Sequence, residues 1–114
     1  MVILDALDGH IIATLPIGDR VDGVAFDTKL KRAYSSNGEG NITVVEETDA
    51  HNFKVLETIP TQKGARTITI NNLTHHIYLS TAEFGETPKA TTENPRPRPA
   101  IKPGTFFVFD IVPQ

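Results

Sequence analysis

The chain repeats itself. Residues 14–39, TLPIGDRVDGVAFDTKLKRAYSSNGE, return at 58–83 as TIPTQKGARTITINNLTHHIYLSTAE, in one register with a shift of 44 residues. Thr14/Thr58, Pro16/Pro60, Tyr34/Tyr78, Ser36/Ser80 and Glu39/Glu83 are identical pairs, and Val24/Ile68, Phe26/Ile70 and Asp27/Asn71 are close substitutions. A period of this length signals an array of supersecondary units, each of which needs its neighbours to bury its faces. Any fold proposed for this chain has to place residues 44 apart in equivalent positions.

Short β-branched and aromatic runs separated by turn residues fill the chain: VILD, HIIATL, GVAFD, RAYSS, NITVVEE, KVLETI, RTITIN, HIYLS and TFFVFDIV. They predict about nine strands in an all-β array, since no window sustains a helical period. The repeat resolves into units of four antiparallel strands, A to D. Segments 24–27 and 68–71 are A strands, and 32–36 and 76–80 are B strands. Strand C appears three times, as VILD at 2–5, TVVE at 43–46 and FVFD at 107–110, and strand D twice, as IIATL and VLETI. In chain order this reads CD, ABCD, ABC. One complete unit, 19–62, lies between partial units at 1–18 and 63–114, all within a single domain of residues 1–114.

The pattern VAFD-x-K-x-KRAY-x-SN-G-x-G-x-ITVV-E, followed by VLETIPTQ and a GART opening, resembles the YVTN-repeat (YncE-like) β-propeller family. The likeness runs over nearly the whole chain, including the PRPRPAIKPGTF segment before the last strand. It implies a partial β-propeller of about two and a quarter four-stranded blades, corresponding to the C-terminal part of a ring that in the family typically closes with seven. Intact repeats without a catalytic constellation make a non-catalytic repeat module for protein or ligand binding the expected function. A truncated piece of a larger propeller without its own activity, or a fragment of a ligand-binding propeller enzyme, stands as the alternative. Family members are often periplasmic or secreted. This chain as written has no basic, apolar leader, with acids at Asp5 and Asp8, and is expected in the cytoplasm.

Charge narrows the partners. A formal net charge of -3 gives no global basic field, so wholesale capture of nucleic acid is not favoured, although a local basic patch is compatible with it. There is no cysteine, which removes disulfides, thiol nucleophiles and thiolate-held metals. Nothing reaches the ~18 apolar residues of a membrane-spanning helix, so no membrane partner is expected. No cofactor is implied. Partners are expected instead to be a protein, further copies of the chain, or the missing blades.

Few segments invite chemistry. Asp22 and Arg66 occupy equivalent positions at the start of successive A strands, where they would form an inter-blade ion pair or line the mouth of a ligand-binding channel. Residues 85–104, GETPKATTENPRPRPAIKPG, insert about twenty residues between strands B and C of the last unit, with polyproline II character. With Arg96, Arg98 and Lys102 this loop would be a docking arm for an aromatic groove or an acidic partner; otherwise it is an ordinary long surface loop, or one that packs across the blade face. SNGEGN at 36–41 reads as a tight hairpin turn. His10, His51, His75 and His76 read as exposed turn histidines, without a set of metal ligands among them. No serine has a nucleophile-elbow setting.

Overall fold

The structure, a computed structural model, describes residues 1–113. Those residues form nine antiparallel strands in three sheets and no helix, so none crosses a membrane as a long apolar helix. The first sheet pairs β1 (Val2–Leu4) with β2 (Ile11–Thr14). The second runs in chain order through β3 (Val21–Asp27), β4 (Arg32–Asn37), β5 (Asn41–Asp49) and β6 (Asn52–Pro60). The third contains β7 (Arg66–Ile70), β8 (Ile77–Thr81) and β9 (Phe107–Ile111), with no fourth strand beside β9 among the described residues. Two, four and three strands are what the repeat arithmetic predicts.

The 44-residue register extends to backbone detail. After β3, the Asp27 carboxylate accepts hydrogen bonds from the N–H groups of Lys29 and Leu30, both at 2.9 Å. After β7, Asn71 Oδ1 accepts from Leu73 and Thr74 in the same pattern, at 2.9 and 3.4 Å. Each turn closes on a residue in the left-handed region, Lys31 with φ 56° and His75 with φ 65°. Short Asx turns of this kind let an acid or amide side chain stand in for the missing ladder partner.

The main core lies between the second and third sheets. Tyr34, Ile42 and Val44 of the second meet Ile77 and Leu79 of the third, with Ala65 of the connecting segment buried among them and Ile59, Ile68, Ile70, Phe109 and Ile111 packed around the cluster. Strand alternation sends every second residue to one face, so this cluster uses one face of each sheet. Gly23 allows the approach of the sheets, since a Cβ there would stand 3.2 Å from Cγ2 of Ile68. The radius of gyration is 16.5 Å, against about 13 Å for a compact domain of this length. The sheets therefore stack as an open row.

Candidate binding cleft

Four connections, β2–β3, β4–β5, β6–β7 and β8–β9, build a cleft at one end of the second and third sheets. The β2–β3 connection brings Arg20, whose carbonyl accepts from the N–H of Gly38 in the β4–β5 turn at 2.9 Å. Gly38 in turn accepts from the N–H of Gly64 in the β6–β7 connection, also at 2.9 Å. The opposite wall is the base of the long β8–β9 loop. There Lys102 N–H donates to the Glu83 carbonyl at 2.8 Å, Gly85 N–H donates to that of Ala100 at 2.7 Å, and Phe84 and Ile101 form an isolated antiparallel bridge. Gln62 Nε2 ties the two walls by donating to the Ala82 carbonyl at 3.0 Å.

The Phe84 ring lies over Gly64, which has φ +84°; a Cβ at that position would come within 2.6 Å of Cε2 of the ring. Only glycine satisfies both the left-handed backbone and the contact. The cleft is open to solvent and has a volume of about 770 Å³. Its lining includes Arg20, Lys63, Arg66, Arg98 and Lys102, with Glu83 as the sole carboxylate. All five cations are exposed, and among the described residues none has an acid within ion-pair distance.

Three of the residues singled out from sequence, Arg66, Arg98 and Lys102, thus share one cleft, while Arg96 lies outside its lining. Asp22 is elsewhere and does not pair with Arg66. Its Oδ2 accepts from the N–H of Thr67 at 3.0 Å, because an irregularity in β7 puts Thr67 at φ 61° and turns that amide towards the preceding sheet. Arg20 and Lys63 went unnoticed in the sequence. Arg20 and Lys63 are one residue out of equivalence, since 44 residues separate Arg20 from Gly64 and Asp19 from Lys63, so the repeat places both at the same end of successive units.

Two of the four histidines, His75 and His76, differ from expectation, while His10 and His51 are exposed. His75 is half-buried, and its Nδ1 donates to Asp27 Oδ2 at 2.5 Å, joining the turn of one sheet to the turn of the next. Burial pushes the Asp27 carboxyl up. Hydrogen bonds from Leu30 N–H, the His75 ring and Lys29 N–H outweigh that and hold it below the ordinary carboxylate range. His76, also half-buried, pairs with Asp110 at 2.8 Å and His10 with Asp8 at 2.6 Å. Asp5, Asp8 and His10 bring ligand atoms within 4.8 Å of one another in the β1–β2 turn, and Asp8-x-His10 is a spacing the sequence contained. There the two acids already accept the backbone N–H groups of Leu7 and His10, which accounts for the cluster as turn structure.

A smaller gap of about 300 Å³ opens at the edge of the inter-sheet core, lined by Arg32, Tyr34, Glu57 and apolar side chains. It is a packing feature of the core margin, where burial raises the Tyr34 hydroxyl's pKa. Compared with protein-family models, curated proteins and solved structures, the chain has no significant match.

Proposed function

We propose that the chain is a non-catalytic binding module, built as a section of a β-propeller of the YVTN-repeat kind that its sequence resembles. Further four-stranded units, from other copies or additional chain, would cover its open faces. One observation carries the reading. Tyr34 and Val44, on the face of the second sheet that meets the third, are 3% and 1% exposed. By the strand pairing their counterparts on the third sheet are Tyr78, half-buried, and Asp110, while Val108, the counterpart of the fully buried Ile42, is 52% exposed; no further sheet among the described residues covers them. The same positions that are covered by a following sheet in one unit lack one in the next. Val24 of β3, which pairs with Ser35 and so lies on the face of the second sheet opposite Tyr34, is 66% exposed, leaving apolar surface open there as well.

Binding fits the cleft better than catalysis does. Its lining concentrates positive charge and supplies donors, with one carboxylate and no nucleophile-and-base pair. Size-exclusion chromatography with light scattering tests the array. The expected result is a mass of several chains, falling towards one chain in Val108→Lys, whose exposed site tolerates the change. A fully folded monomer at high micromolar concentration would overturn the reading, because both faces would then be stable in water.

A further inference from the structure

The cationic cleft has a definable ligand chemistry. It collects five of the chain's eleven Lys and Arg but only one of its fourteen Asp and Glu, in a molecule whose net charge is -3. In a chain that is acidic overall, this concentration of cations draws an anion towards the cleft. The charges are also held apart from acids that would neutralise them, and the walls are fixed by backbone hydrogen bonds before any ligand arrives. Preorganisation of that kind removes an ordering cost from binding.

Size and lining specify more. A volume of about 770 Å³ lies within the range of small-molecule sites. Three guanidinium groups, from Arg20, Arg66 and Arg98, offer forked donors suited to planar carboxylate or to phosphate oxygens, and two ammonium groups, from Lys63 and Lys102, add point charges. Phe84, Pro99 and Ile101 contribute apolar surface beside them. From this combination we propose that the cleft binds a small organic polyanion, carrying two or more phosphate or carboxylate groups on a compact apolar or ring-shaped body. It rests on the reading of the chain as a binding module and is independent of how many sheets complete the array.

The test is an amide-resolved NMR titration of the full ¹⁵N-labelled chain with pyrophosphate, with citrate and with acetate as a monovalent control. Pyrophosphate or citrate is expected to give saturable shifts confined to Gly38, Gly64, Arg66, Gly85 and Lys102, and the stronger of the two identifies the anionic group as phosphate or carboxylate. Acetate should bind at least about tenfold more weakly, as should either polyanion in the doubly substituted Arg66→Gln/Arg98→Gln chain, since bidentate charge-assisted bonds are lost in both cases. Added salt should weaken the interaction, because the cations are solvent-exposed. Lys29→Gln, which removes an exposed cation from the β3–β4 turn, should leave it unchanged, and the spectrum of each variant reports its fold. Shifts scattered over all basic residues, no saturation, or equal loss in Lys29→Gln would overturn the proposal. Such a failure with the oligomeric mass intact would remove the ligand without touching the array, whereas a monomer that binds the anion would do the reverse.

Discussion

The second and third sheets start from two copies of one repeat and end in different circumstances. Tyr34 and Tyr78 are identical residues 44 apart, each paired across strands in the same way, with Val44 opposite the first and Asp110 opposite the second. Tyr34 is buried because a sheet follows; Tyr78 is half-exposed because none does among the described residues. Burial here is therefore a property of position in the row, and the residue type alone does not determine it. The largest expected mutational effect exploits this. Leu79→Ala, at a residue 1% exposed in the shared core, should cost about 2–5 kcal/mol, the usual range for a buried leucine truncation. Val108→Ala, on the uncovered face of the same sheet, should cost under about 1 kcal/mol in a dissociated chain, because little apolar area returns to water. Chemical denaturation measures both, and equal losses would mean that the outer face is covered.

The two Asx turns make a second, smaller contrast. Asp27 and Asn71 make the same local hydrogen bonds, yet only Asp27 is buried and reaches a neighbouring turn through His75. Asp27→Asn keeps an acceptor for the Lys29 and Leu30 amides, as Asn71 does, and removes the charge. It should cost about 1.5–3 kcal/mol at neutral pH, the range for a hydrogen bond to a charged group. Asn71→Ala, exposed, should cost about 0.5–1 kcal/mol. The sign of the pH dependence follows from Asp27's lowered pKa in the fold. Its contribution is complete above the unfolded value, near 4, and disappears as pH falls through the folded value. Thermal midpoints of parent and Asp27→Asn should therefore converge on acidification below about pH 4. A constant gap across that range would show that the carboxylate's charge contributes nothing.

The strand order was legible in the sequence because three signals agreed at every unit: β-branched runs, turn residues, and identical residues at one spacing. Convergence between units was less legible. Arg66, Arg98 and Lys102 stood out singly as an A-strand residue and two loop cations. That they face one another depends on Gln62 bridging the walls and on Phe84 folding back over Gly64. The Asp27–His75 contact has a separation of 48 residues, one repeat plus four, and adjacent histidines gave no hint of it. Asp22 shows the opposite difficulty. Its equivalence to Arg66 suggested an ion pair, but the irregularity at Thr67 offers the carboxylate a backbone amide first. Equivalence in sequence fixes where a residue sits along its unit, while the neighbouring unit decides what it touches.

The smallest expected effect concerns the connection between the second and third strands of each full-length hairpin. In the second sheet β4 and β5 are joined through Gly38, Glu39 and Gly40, closed by Gly40 N–H donating to Asn37 at 3.0 Å. In the third, β8 and β9 are separated by residues 82–106, yet the pairing of Tyr78 with Asp110 and Leu79 with Phe109 continues without a shift. The insertion therefore leaves the ladder undisturbed, and its structural attachments lie at its base, in the 83–102 and 85–100 hydrogen bonds and the Phe84 contact. Residues 87–99 are all polar, proline or small, and all are exposed except the half-buried Pro97 and Pro99. Each doubling of loop length changes closure entropy by only about 0.6 kcal/mol, and the shortened loop would gain rather than lose on that account. Replacing 87–99 with a short Gly-Ser link should accordingly leave the unfolding free energy within about 0.5 kcal/mol of the parent's. The same deletion removes Arg98 and should weaken pyrophosphate or citrate binding, so stability and binding separate in one variant. A large loss of stability would show instead that the outer loop clamps the third sheet, and the unequal lengths of the two connections would then be structural.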